Sequence, residues 1–164
     1  MTIFIKNKDT LLIDDFKFKC SIGKNGTCKS KKEADKKTPK GKYSLGNLYY
    51  RNDRVKKPKT LLKCVPIKKS MGWCHDIRSK KFYNKLINIK KNLKHEKLYR
   101  KDSKYNFIIP ISYNTKPIII GKGSAIFLHL TKNYSPTAGC IALKEKDFLI
   151  LIKLIKKKTK IIIK

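Results

Sequence analysis

Apolar and polar residues alternate over two stretches near the start of the chain. Ile3 and Ile5 recur at a spacing of two, as do Phe16, Phe18 and Cys20, and both stretches predict half-buried strands. Gly23-Lys24-Asn25-Gly26 is a turn signal between strands. Residues 29–42 are very polar and predict a surface loop ending in the tight turn Thr38-Pro39-Lys40-Gly41, followed by a strand over 42–51 carrying Tyr43, Leu45 and Tyr49. Another short strand is predicted at 61–67. The segment 70–106 is polar, aromatic and weakly periodic, and predicts an irregular excursion with short helical turns. Strand character returns over 105–113, where Pro110 argues for an edge or a bulge, and again over about 124–130.

The period then changes. Phe148, Leu151, Ile152 and Ile155 follow i, i+3, i+4, i+7 and predict an amphipathic helix over about 144–157. Glu145 and Asp147 fall in its first turn and Lys156-Lys157-Lys158 in its last, as the helix dipole favours. Ile161–Ile163 predict a closing strand. With no internal repeat and no linker, the expected fold is mainly β with a C-terminal α-helix, a β-sandwich or barrel forming a single domain over residues 1–164.

A chain of 164 residues suits one domain with a modest core. The 42 Lys and Arg against 11 Asp and Glu give a formal charge of +31, which attracts polyanions. Yet Lys, Ile and Asn dominate together, as an AT-rich genome imposes on any surface. The lysines are spread along the whole chain, and few runs interleave with aromatics as a nucleic-acid groove would. The charge therefore reads as composition and solvated surface, and no specific nucleic acid is expected as a partner. No stretch reaches the ~18 apolar residues of a membrane span. Met1-Thr2-Ile3-Phe4-Ile5-Lys6 lacks the basic start and long apolar core of a secretory signal.

Five cysteines (Cys20, Cys28, Cys64, Cys74 and Cys140) leave at least one unpaired within the chain. Cys20 and Cys28 flank a turn and can pair in an oxidising compartment. No CxxC occurs, and Cys64 with Cys74-His75 is too loosely spaced to support a metal site. Neither a metal nor another cofactor is expected.

The chemistry concentrates in residues 121–143, GKGSAIFLHLTKNYSPTAGCIAL. His129 ends an apolar strand, and Cys140 follows eleven positions later after a loop holding Ser135, Pro136, Thr137 and Gly139. A thiol is a weak nucleophile until it loses its proton, and a neighbouring imidazole can take that proton and hold the thiolate as an ion pair. Gly139 lets the backbone turn sharply, so that free N–H groups can face an oxyanion. Spacing alone does not choose between this reading and a core cysteine beside a structural histidine.

The words around the pair add to it. GSAIFLH before and SPTAGCIAL after resemble the active-site segment of the L,D-transpeptidase catalytic domain, the YkuD-like family, whose motif is a His followed by [Ser/Thr]-x-Gly-Cys. Here these are His129 and Thr137-Ala138-Gly139-Cys140. Thr38-Pro39-Lys40-Gly41-Lys42-Tyr43 resembles the family's TPxGxF/Y turn. Met71-Gly72-Trp73-Cys74-His75-Asp76 with Tyr83-Asn84, His95-Glu96-Lys97-Leu98 and Tyr113-Asn114 resemble segments of a branch of small members, so the likeness runs over roughly residues 3–155. Three positions depart from it. Ala138 replaces a His and Ala142 an Arg found in many members, and His75 stands where this branch usually has Asp.

The resemblance implies a YkuD-like fold and a cysteine-nucleophile acyltransferase of peptidoglycan biosynthesis and cell-wall organisation. Cys140 would attack the stem peptide at the bond before its terminal D-Ala, with His129 as base, and the thioester would pass to a second stem peptide as a 3–3 cross-link. Gly139 would join the catalytic turn, whose N–H groups around Ala138–Cys140 would hold the oxyanion, and Thr137 and Ala138 are candidate substrate-binding residues of the cleft. Trp73, Asp76, Tyr83 and Asn84 are candidate cleft residues, set against a reading in which they cap the core and fix a turn. Peptidoglycan stem peptides are the expected partners, a monomer the expected state, and the cell envelope or periplasm the expected location. Hydrolysis of the same thioester, as in an L,D-carboxypeptidase, and a non-catalytic basic module binding polyanions stand as alternatives.

Overall fold

The structure is a computed structural model and describes residues 1–89 and 92–164. In chain order its strands are β1 (Thr2–Lys6), β2 (Thr10–Ile13), β3 (Phe16–Lys19), β4 (Thr27–Cys28), β5 (Thr38–Pro39), β6 (Gly41–Ser44), β7 (Leu48–Tyr50) and β8 (Cys64–Pro66). There follow β9 (Met71–Cys74), β10 (Leu86–Asn88), β11 (His95–Lys97), β12 (Phe107–Pro110), β13 (Phe127–Leu130) and β14 (Ile141–Leu143), then α1 (Glu145–Leu154) and β15 (Lys160–Ile163). One sheet has the order β3-β2-β1-β15-β6 and a second β14-β13-β12-β7-β8, while β10-β9-β11 and β4-β5 form two smaller ones.

The period of two along each strand explains how these layers stack. Ile3, Ile5, Leu11 and Ile13 of the first sheet share one apolar cluster with Leu128, Leu130, Phe107 and Ile109 of the second, and with Phe148, Leu151 and Ile152 of α1. The intervening residues of the second sheet (Phe127, Ile108 and Tyr49) enter another cluster with Leu98 and Tyr105, against which Met71 and Trp73 pack. The second sheet is thus covered on both faces, and its strands read as continuous apolar runs rather than alternating ones. That explains why Ile141-Ala142-Leu143 is a strand that alternation does not reveal.

Several expectations change. The stretch expected as one strand over 42–51 divides into β6 and β7, which belong to different sheets. The segment 70–106, expected to be irregular with helical turns, carries the β10-β9-β11 sheet, with Trp73 paired to Leu86 on one side and to Glu96 on the other. The part of that expectation at residues 90 and 91 lies outside the described residues. β12 is central, not an edge. It tolerates Pro110 because the proline is its last residue, beyond the register shared with β7, and its carbonyl still accepts from Gly46 N–H at 2.8 Å.

The helix ends at Leu154, since Ile155 is extended, so Lys156–Lys158 lie past its last turn. Lys144 at its start provides no side-chain cap, a loss worth about 1 kcal/mol. Burial of Phe148, Leu151 and Ile152, roughly 1.5–3 kcal/mol each, outweighs it. All five cysteines are free. Cys28 faces the Asp35 carboxylate at 3.9 Å rather than Cys20.

Candidate active site

β13 carries Leu128 and Leu130 into the main core, so its period aims Phe127 and His129 at the opposite face. The imidazole is 6 % exposed, with the Tyr105 ring against it at 5.4 Å between centroids. Its Nδ1 lies 2.8 Å from the Leu130 carbonyl. A carbonyl only accepts, so Nδ1 carries the proton and Nε2 keeps its lone pair. Burial pushes the imidazole down to about 4, and the Lys104 and Arg100 cations act in the same direction. At neutral pH the group is an uncharged base.

Cys140 sits one residue before β14, after a backbone turn that only glycine adopts readily, Gly139 having φ +137°. β13 and β14 run parallel with Leu128 opposite Ile141 and His129 opposite Ala142. The sulfur therefore lies on the imidazole's face of the sheet, one pleat away, and both side chains line a partly open cavity of about 440 Å³. Cys140 is 8 % exposed. Its Sγ accepts from Phe127 N–H and donates to the Ala125 carbonyl, both at 3.3 Å. Burial pushes the thiol up to about 12, against the pull of the Phe127 N–H and the Lys31 cation. Both shifts favour the neutral forms, thiol and imidazole, over a thiolate–imidazolium pair.

Thr137 shapes the turn. Its hydroxyl donates to the Cys140 carbonyl at 2.6 Å and accepts from Gly139 N–H at 3.1 Å. Thr38, fully buried, donates to the Gly139 carbonyl at 2.9 Å and accepts from Gly23 N–H at 2.8 Å. The Gly139 amide is thus engaged, and it is the Ala138 and Cys140 amides that carry no hydrogen bond among the described residues. Those two are the donors free to meet an oxyanion.

The other expected cleft residues separate. Thr137 and Ala138 line the cavity with His129 and Cys140, whereas Trp73, Tyr83 and Asn84 do not. Asn84 is buried. Its Oδ1 accepts from the Trp73 indole at 2.9 Å and from Ala125 N–H at 3.1 Å, and its amide donates to the Tyr113 and Asn114 carbonyls. Trp73 meets Phe127 edge to face, and the buried Tyr83 hydroxyl donates to Glu33 and accepts from Gly123 N–H at 3.1 Å. These three hold the back of the 123–127 strand entry. Asp76 is buried beneath Arg78, whose guanidinium holds its carboxyl below the usual carboxylate range, and it borders a second, smaller depression with Glu33, His75 and Lys94.

Sequence reasoning did not single out Lys31, Glu33, Arg100 or Tyr105, yet all four line the cavity, together with Glu96. Glu96 accepts from Arg100 at 3.0 Å and from the Tyr105 hydroxyl at 3.1 Å. Lys31 lies in a run of lysines that reads as surface, and only an Asp four residues later hints otherwise. Among the described residues no group of three or more His, Cys, Asp or Glu side chains is placed to hold a metal ion. No helix there is long and apolar enough to cross a membrane.

A family model described as "L,D-transpeptidase catalytic domain" (YkuD) matches residues 1–163. No curated protein sequence matches the chain. Among solved structures it is similar to Bd1075 of Bdellovibrio bacteriovorus at 15 % identity, with a TM-score of 0.47, covering 99 % of this chain and 47 % of that one. The chain thus spans about half the length of that protein.

Proposed function

The chain belongs to the YkuD family of L,D-transpeptidase catalytic domains, and from that premise we propose that it is a cysteine-dependent acyltransferase acting on peptidoglycan stem peptides. The observation that carries the reading is that Cys140 and His129, whose Nδ1 is taken by the Leu130 carbonyl, line one cavity with Ala138, next to two amides that carry no hydrogen bond among the described residues.

As the sulfur adds to the carbonyl carbon before the terminal D-Ala, its proton passes to His129 Nε2. The carbonyl oxygen becomes an oxyanion facing the Ala138 and Cys140 N–H groups. Collapse breaks the C–N bond, His129 returns its proton to the departing amine, and D-Ala leaves a thioester on Cys140. The amine of a second stem peptide adds to the thioester carbonyl and gives its proton to His129. The C–S bond then breaks, the sulfur regains a proton, and a 3–3 cross-link remains. Burial suits this order, because a neutral pair shifts its proton only as the C–S bond forms. The substrate class assigns the work to the cell envelope.

Incubation with a carbapenem followed by intact-mass measurement tests the nucleophile: wild type gains one adduct and Cys140→Ala gains none. Purified muropeptides test the acceptor. Cross-linked dimers are expected, whereas D-Ala with tripeptide alone replaces the transferase by a hydrolase.

A further inference from the structure

Lys31 is 3 % exposed, the least usual place for a lysine in a chain with this many on its surface. Its stem runs beneath Gly123, where an added Cβ would come within 2.7 Å of Cε and 2.9 Å of Cδ. Its ammonium lies 3.6 Å from where a Cβ on Gly139 would stand, and it lines the cavity with Cys140. Two glycines with φ of +97° and +137° thus leave the path by which a buried cation reaches the turn bearing the sulfur. Asp35 holds the ammonium in an ion pair and also accepts from the Lys32 N–H at 2.8 Å and the Lys37 N–H at 2.9 Å, which stiffens the loop. The Lys37 carbonyl in turn abuts Gly139.

An ion pair taken out of water loses its hydration and is costly unless well compensated, so a solvated surface lysine is the default. Several charged and titratable groups line the cavity with the sulfur, among them His75 and Lys104 at its wall. Glu96 and Tyr105 approach from the segment that follows β9, and His129 from β13. Arg100 is turned onto Glu96 and Asp102, and Glu33 onto the Tyr83 and Ser124 hydroxyls. Lys31 is the cation whose charge opposes the effect of burial on the thiol.

We propose that Lys31, held by Asp35, is a positioning residue that compensates the negative charge developing at Cys140 and its turn during acyl transfer. The Arg that many members carry after the Cys box is absent here, and Lys31 brings a cation to the site from a different element. The inference rests on Cys140 being the reactive sulfur, so its test reads thiol chemistry rather than transfer.

The experiment follows iodoacetamide alkylation of Cys140 at one fixed pH by peptide mass, with Cys64 as internal reference, because the groups acting on Cys64 include neither Lys31 nor Asp35. Lys31→Met keeps a similar stem under Gly123 and is expected to slow Cys140 by about tenfold or more, the effect of losing one nearby cation. Asp35→Asn leaves the cation without its counter-charge and is expected to accelerate Cys140 severalfold. Lys31→Arg should stay near wild type. A purely structural role moves the Met and Asn variants in the same direction, and that result, or no movement in either, overturns the proposal. Where a melting scan shows that Lys31→Met does not fold, Asp35→Asn decides alone: acceleration supports the compensating role and an unchanged or slower rate removes it. Wild type unlabelled at Cys140 would overturn the nucleophile reading itself, an outcome distinct from labelled protein whose rate ignores Lys31.

Discussion

His129 stands opposite Ala142 across the parallel β13–β14 pair, so the neighbouring strand offers only a methyl group beside the imidazole. In a parallel ladder, opposed residues point to the same face, which makes Ala142 the position best placed to narrow the cavity next to the base. Ala142 is itself fully buried and lines the cavity.

Ala142→Leu is therefore expected to crowd the substrate's approach without touching the sulfur. Carbapenem acylation should fall by up to about 10²-fold, the effect of misplacing a reacting carbonyl by roughly 1 Å. Iodoacetamide, a far smaller probe, should label Cys140 at nearly the wild-type rate. Equal losses with both reagents would mean that position 142 acts on the sulfur and not on access.

Gly139→Ala tests the turn. At φ +137° a Cβ is strained whatever the space, and here it would also stand 2.9 Å from the Lys37 carbonyl. Strain of this kind costs about 1–3 kcal/mol, so a denaturant titration should show a loss of that size. Because the Ala138 and Cys140 amides move with the turn, acylation should fall further than stability alone explains.

Asn84→Ala and Trp73→Phe separate scaffold from cleft. The first removes the acceptor of the Trp73 indole and the Ala125 amide and places Ala at φ +54°, where Asn is tolerated. Each orphaned buried group costs about 1–3 kcal/mol, so Asn84→Ala should melt far below wild type. Trp73→Phe loses one hydrogen bond and should cost only about 1 kcal/mol. For both, KM measured on the folded fraction should match wild type. A raised KM in either would return these residues to the substrate cleft.

What the sequence revealed follows from where each signal resides. β1 and α1 announce themselves because each buries one face, which is what a period of 2.0 or 3.6 encodes, whereas in β3 Phe18 is buried and Phe16 is exposed. β14 does not, since Ile141, Ala142 and Leu143 are all buried. β9, β10 and β11 escape notice because only a small, partly exposed sheet forms there, from partners far apart in sequence. His129 and Cys140 were legible through the words around them. Lys31 was not, because a lysine among lysines carries no local mark of burial and its reason lies with Gly123 and Gly139, about a hundred residues away.

The buried imidazole also fixes how stability responds to acid. His129 is held down to about 4 in the folded chain against an ordinary value of 6.5. Above 6.5 both folded and unfolded forms are neutral, and the group contributes no pH dependence. As pH falls below 6.5 the unfolded chain binds a proton that the folded chain refuses until about 4, so stability drops through that window. At 1.36 kcal/mol for each tenfold change in proton concentration, the loss totals roughly 3 kcal/mol. Asp35 and Asp102, whose carboxyls are held below their usual range, add their own loss at lower pH as the unfolded carboxylates protonate. Denaturant titrations of wild type and His129→Gln from pH 7 to pH 4 isolate the histidine, because the carboxylates are common to both. Wild type should lose about 3 kcal/mol more than the variant over this range. Parallel curves would mean that water already reaches the ring and that burial does not hold the imidazole below its ordinary range.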